Sequence, residues 1–234
     1  MKNIRNFLIF NLIVLLFTAC DADFVAEEVT DIAGEKWNKD EVATCEFEIE
    51  DADSYYTLML DLRNTVDYSY QNLYLFCDIK TPDTLYRDTL EVFLADPAGN
   101  WYGNGNRLKD RSYYFAADPK FVSTTHKIKG HVPYSVATFS GLGKHPFRFE
   151  PLIVPFRVEV DGQQAEATEC YPVKVKFPKA GKYKFTFWQA MREENLEGIS
   201  SIGLTVKKYN ESALIKAIQK ENKARLKRAE ELNN

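Results

Sequence analysis

Leu16-Phe17-Thr18-Ala19-Cys20 closes the first apolar run of the chain and sets a small residue directly before a cysteine. A lipoprotein signal peptidase cuts that kind of pattern. Cys20 then becomes the first residue of the mature chain, acylated on its sulfur and its amino nitrogen. The residues before it have the matching order: Lys2 and Arg5 form a basic start, and Phe7 to Phe17 is apolar except for Asn11. That run is shorter than the ~20 apolar residues a bilayer span needs, so residues 1–19 read as a cleaved signal peptide. Each acyl CH₂ buried in lipid contributes about 0.8 kcal/mol, and several chains anchor a folded domain firmly to a membrane surface.

Other residues of chemical interest are scattered. Trp101-Tyr102-Gly103-Asn104-Gly105 sets two aromatics beside a flexible loop. Such a pair could stack on a sugar ring or anchor a protein partner, because Trp and Tyr bury large area at small entropic cost. Alternatively Trp101 caps the end of the core and the glycines turn the chain. Arg192, in the polar loop 189–198, either contacts a partner or pairs with a nearby acid; Met191 and Leu196 of that loop are expected to fold inward.

Cys45, Cys77 and Cys170 remain after Cys20. Cys45 and Cys77 fall in phase with apolar neighbours, so they read as buried small hydrophobes, with pairing of two of the three as the alternative. His126, His131 and His145 have no third ligand at a telling spacing, and the aspartates sit mostly in turns without the spacing of a calcium loop. The sequence therefore implies no metal and no cofactor. It contains no nucleophile elbow, P-loop, HExxH or dinucleotide fingerprint, and the chain reads as non-catalytic.

The elements that must position these residues follow a period of two. Ala43 to Ile49 alternates cleanly, as does Tyr55 to Leu62 with Tyr56, Leu58, Leu60 and Leu62 on one face. Asn72 to Ile79 is apolar on both faces, which predicts a central strand. Asp88 to Ala95 is a further strand, and Asp96-Pro97-Ala98-Gly99 a turn. Val173 to Phe177, Tyr183 to Gln189 and Ile199 to Lys207 resume the alternation. Residues 20–42 read as a lipidated acidic tether: residues 21–53 hold thirteen Asp or Glu against Lys36 and Lys39. Residues 107–176 are irregular, with Pro151 and Pro155 demoting 149–160 to an edge or bulged strand and Asp161-Gly162 closing a hairpin. Residues 209–234 predict a charged helix docked only at its start, through Leu214, Ile215 and Ile218. The expected fold is all-β: an antiparallel β-sandwich, Ig-like or jelly-roll-like, over 43–208 with a C-terminal helix. Net charge is −4, or −6 without Lys2 and Arg5, which argues against nucleic acid as a partner.

Two blocks taken together resemble the GldH family of gliding-motility lipoproteins. The first joins Asn72-Leu73-Tyr74-Leu75-Phe76 to Asp88–Pro97 and Gly99-Asn100-Trp101-Tyr102-Gly103-Asn104-Gly105. The second runs from Phe177-Pro178-Lys179-Ala180-Gly181-Lys182-Tyr183-Lys184-Phe185 through Gln189-Ala190-Met191-Arg192, Leu196-Glu197-Gly198-Ile199 and Ile202-Gly203-Leu204. Tyr55, Tyr56, Leu62-Arg63 and Tyr68-Ser69-Tyr70 fit the same pattern. The resemblance covers about 20–106 and 177–208, leaving 107–176 as an insertion expected to form a lobe beside the sandwich. It implies an outer-membrane lipoprotein of the cell envelope that binds other envelope proteins and serves movement over surfaces. It implies no catalytic residue. The competing reading is a glycan-binding surface lipoprotein, which requires Trp101, Tyr102, Tyr113 and Tyr114 to be exposed on one face.

Overall fold

The computed structural model describes residues 23–96, 98–116, 136–140, 144–160 and 163–232. Thirteen strands follow in chain order: β1 (Phe24–Asp31), β2 (Lys36–Asn38), β3 (Ala43–Ile49), β4 (Tyr56–Thr65), β5 (Asn72–Lys80), β6 (Leu85–Phe93), β7 (Leu108–Ala116), β8 (Val136–Phe139), β9 (Arg148–Val160), β10 (Gln163–Lys176), β11 (Gly181–Gln189), β12 (Asn195–Glu197) and β13 (Ile199–Lys208). One helix, α1 (Glu211–Leu232), ends the chain's described part.

The fold is all-β with a C-terminal helix, but the strands do not divide into two facing sheets. Eleven form one continuous hydrogen-bonded sheet in the order β1-β13-β4-β7-β8-β6-β5-β11-β3, with β10 joined to β4 and β9 to β10. Its two ends meet. The Cys45 thiol on β3 donates to the Glu28 carbonyl on β1 at 3.5 Å, and the Glu46 N–H donates to the Glu28 carboxylate at 2.6 Å. The sheet thus curls nearly into a barrel. Alternation predicts one buried and one solvated face, and a curled sheet satisfies that as well as a sandwich does. Pairing is antiparallel throughout except between β7 and β8.

The inward residues are those the period of two selects. Leu58, Leu60 and Leu62 of β4, Leu73, Leu75, Cys77 and Ile79 of β5, and Tyr183, Phe185 and Phe187 of β11 are all buried. Aromatic rings fill the centre: Phe147 stacks on Phe185 at 5.8 Å, and Phe177 meets Tyr56 edge-on at 5.3 Å. Each such pair adds about 0.5–1.5 kcal/mol beyond the area it buries.

Two expected boundaries are corrected. Much of the stretch expected to be a tether belongs to the fold: β1 pairs with β13 from Phe24↔Lys207 to Asp31↔Ser201, and β2 pairs with β12. Acidic residues are compatible with β1 because it is an outer strand whose Glu27 and Glu28 side chains reach solvent. Just beyond it, Ile32 and Trp37 enter the core, Trp37 fully buried with its indole N–H donating to the Glu41 carbonyl at 3.0 Å.

The expected lobe at 107–176 likewise supplies core strands. β7 lies against β4, β8 lies between β7 and β6, and Tyr113, Phe115, Ala137 and Phe139 are buried in the main core. Only β9 and β10 extend away as a long hairpin, with β9 an edge strand as its prolines require.

β5 is central, between β6 and β11, but it is not apolar-buried on both faces. Tyr74 and Phe76 point outward, 39% and 53% exposed.

The helix start is capped and docked. The Asn210 side chain accepts the Ala213 N–H at 3.1 Å, the role of an N-cap. Leu214 and Ile218, four residues apart on one helix face, are buried with Leu152 and Val173 and pack against Tyr114.

Candidate functional site

Trp101 and Tyr102 follow the 96–100 turn. That turn is set by Asp96, whose side chain accepts the N–H groups of Ala98 at 2.9 Å and Asn100 at 2.8 Å. Trp101 bridges back to Ala95, is partly buried against the main core, and approaches the Tyr68 ring at 6.3 Å. The contact continues from Tyr68 to Tyr70 at 5.7 Å, and the Tyr70 hydroxyl donates to Glu193 at 2.7 Å. Glu193 is the neighbour of Arg192 in the loop after β11. The structure therefore brings the Trp101 loop and the Arg192 loop to the same end of the sheet. Arg192 itself is exposed and makes no ion pair with a described residue. Leu196 is buried; Met191 is partly buried and accepts the Tyr74 N–H through its sulfur at 3.4 Å.

Tyr102 does not extend that platform. The Arg111 guanidinium lies over its ring at 5.2 Å and over the Tyr113 ring at 5.7 Å. Tyr113 faces the core at 1% exposure, and Tyr114, on the opposite face of β7, packs beneath α1. Neighbours along a strand point to opposite faces, so the four aromatics Trp101, Tyr102, Tyr113 and Tyr114 do not share one exposed surface.

A concavity lies elsewhere on the described surface. A cleft of about 770 Å³ opens on the outer face of β6, β5 and β11. Trp188 pairs with Phe76 across β11 and β5, and Phe76 pairs with Thr89 across β5 and β6. The Arg87 side chain donates to both Asp78 oxygens at 3.0 to 3.2 Å on the same face. The alternation of Tyr183 to Gln189 puts Trp188 on the polar face of its strand, and no local pattern gives a function to it or to Phe76. The signal available was that outward phase, with Trp188 among lysine and threonine.

The Cys45 and Cys77 thiols are buried and poor nucleophiles. Burial pushes Cys45 up to about 12 and Cys77 well above the ordinary thiol range, so both are protonated at neutral pH. Cys170 pairs with Ile153 in the β9–β10 ladder. His145 stacks on Phe139 at 4.5 Å; burial lowers its pKa, opposed by the nearby charge of Asp88. Among the described residues no three His, Cys, Asp or Glu side chains gather where a metal could sit, and no helix is long and apolar enough to cross a membrane. Cys20, His126 and His131 lie outside the described residues.

Comparison with known proteins extends the likeness seen in the two sequence blocks. The chain is 26% identical over 216 residues to the "gliding motility lipoprotein GldH homolog" of Christiangramia forsetii, covering 89% of this chain and 98% of that protein. It is 34% identical over 135 residues to the "gliding motility lipoprotein GldH" of Flavobacterium johnsoniae, covering 57% of this chain and 82% of that protein. No solved structure matches. The family model "GldH lipoprotein" matches residues 24–132 and 161–206, from β1 through β7 and again from β10 to β13, and the chain belongs to that family.

Proposed function

We propose that this protein is a lipid-anchored, non-catalytic component of the envelope machinery for gliding motility, held in the outer membrane through Cys20 and acting by binding other envelope proteins. The observation that carries this reading is family membership across nearly the whole curled sheet, with relatives whose names state gliding motility.

The geometry adds a constraint. Only residues 21–23 separate Cys20 from β1. At ~3.3–3.6 Å per extended residue, three residues reach at most about 10 Å. A domain held that closely lies against the membrane surface and meets partners fixed in the same plane. The end of the sheet carrying Trp101 and the exposed Arg192 is the face we assign to a protein partner.

In-cell crosslinking and pull-down of the native protein beside Cys20→Ala tests this. Envelope proteins recovered only with the anchored form are expected. An unanchored form that keeps full motility and the same partners overturns it.

A further inference from the structure

The cleft between β6, β5 and β11 has the composition of a sugar site. Phe76 and Trp188 are directly paired on adjacent strands, so both side chains stand on the outer face of the sheet, and Phe76 is 53% exposed. The faces of aromatic rings carry partial negative charge, which suits the C–H face of a pyranose. Polar groups surround the pair. Arg87 is 76% exposed at its side chain and uses Nε and Nη2 on Asp78, leaving Nη1 directed at neither of its oxygens. Asp88, 6% exposed and part of the cleft lining, accepts the Thr89 N–H and the Ser140 hydroxyl through Oδ1. Its Oδ2 is buried on the inward phase of β6 with Leu90 and Val92, so Asp88 braces the strand beneath the cleft rather than facing a ligand.

The charges of the lining balance, Lys39 and Arg87 against Asp78 and Asp88, so an uncharged ligand fits better than an anionic one. The volume, about 770 Å³, falls in the range of small-ligand clefts, ~300–1,000 Å³. A protein partner instead needs an extended surface of about 800 Å² a side. We propose that this cleft binds an uncharged hexopyranose oligosaccharide, with one ring stacked on Phe76 and Trp188 and neighbouring hydroxyls bonded to the Arg87–Asp78 pair. This activity is independent of the motility assignment, and neither stands or falls with the other.

The test is titration of the full chain, in a non-glycosidic detergent, with maltohexaose, cellohexaose and chitohexaose, read by calorimetry and tryptophan emission. Trp37 is buried away from solvent and Trp101 lies at the end of the sheet, so an emission change from this cleft comes from Trp188. Saturable binding of at least one sugar is expected. Trp188→Ala and Phe76→Ala should each weaken it about tenfold, or about 1.4 kcal/mol, and Trp101→Ala should leave it unchanged. Phe76→Leu, which keeps apolar bulk on the strand but removes the ring, should weaken binding as Phe76→Ala does. The assignment is overturned if none of the three sugars binds or if Trp188→Ala binds as well as the native chain. Self-association that Phe76→Ala abolishes, without any sugar response, also overturns it and marks the face as a contact between copies.

Discussion

Trp188 stands directly opposite Phe76 in the β11–β5 ladder, one residue on from Phe187, which stands opposite Cys77 and is fully buried. The same two strands thus present an aromatic pair to solvent and an aromatic wall to the core. Which face a ring occupies decides its energetic role.

That division sets the first prediction. Phe76→Ala and Trp188→Ala should shift stability by no more than about 0.5 kcal/mol, the usual range for surface changes. Phe185→Ala or Phe187→Ala should cost about 3–5 kcal/mol, because each leaves a cavity in a packed core. Urea unfolding of the four variants checks this. A loss of several kcal/mol from Phe76→Ala would show that the ring is part of the core rather than of an open surface.

A second prediction concerns the N-terminal stretch. If Trp37 is the core residue the structure makes it, Trp37→Ala should cost about 3–5 kcal/mol, whereas a tryptophan in a tether could be removed without effect. Trp37→Phe should cost less, losing chiefly the indole N–H bond to Glu41, a net ~1 kcal/mol. Thermal melts of the two variants separate a folded segment from a leash.

A third follows from the short leash. Inserting about twenty Gly and Ser residues after Asp23 adds a flexible span of roughly 25 Å r.m.s. by the √n scaling of such linkers. The inserted protein should remain folded and membrane-bound but lose motility, since partners fixed at the membrane are no longer held opposite the same face. Fractionation and a colony-spreading assay of the inserted strain read both properties. Undiminished spreading would show that distance from the membrane is immaterial.

Much of this fold was legible in the sequence where alternation and burial coincide. Ala43 to Ile49 alternates in type, and the structure buries Ala43, Cys45, Phe47 and Ile49 while Glu46 and Glu48 stay outside. Legibility failed where residue type and position part company. Tyr74 and Phe76 have the same hydrophobic character as buried residues, so periodicity counts them as core although they face solvent. β1 was hidden because an outer strand tolerates Glu27 and Glu28. β7 was hidden by Arg111, which occupies an inward-phase position at the end of the core and is accommodated there by stacking over Tyr102 and Tyr113. The meeting of the Trp101 and Arg192 loops depends on strand order, which no local pattern records.

Gly198 gives a fourth prediction. It turns the chain between β12 and β13 with φ +94°, and a Cβ there would lie 2.8 Å from the Tyr68 Cα. Its N–H donates to the Glu35 carbonyl, and its own carbonyl accepts the Thr65 N–H, both at 2.8 Å. Gly198→Ala combines a disfavoured backbone conformation with a clash against main chain, so a loss of about 1–3 kcal/mol is expected. Because Tyr68 touches both Trp101 and Tyr70, the variant should also loosen the end of the sheet that carries the Trp101 loop. Hydrogen exchange should then accelerate first in residues 66–71 and 98–104.

The last prediction uses Asp61. Its carboxylate sits on β4 between Ser112 of β7 and Thr205 of β13, accepting both hydroxyls, the second at 2.6 Å. Burial raises its pKa, and the two hydroxyl bonds only partly offset that. The sign follows from linkage: a carboxyl whose folded pKa exceeds its unfolded value binds its proton more tightly in the native state. Its contribution to stability is therefore fully present below the unfolded pKa and is lost as pH rises through the folded one. Asp61→Asn removes the titration and keeps an amide that can bond both hydroxyls. Below pH 4 the variant and the native chain should be equally stable. Toward pH 7 the variant should become the more stable, the gap opening across the native carboxyl's titration. Denaturation midpoints at pH 3.5, 5 and 7 suffice to see this. A variant less stable at pH 7 than at pH 3.5, relative to the native chain, would mean that the two hydroxyl bonds outweigh burial and that Asp61 holds β4, β7 and β13 together as an anion.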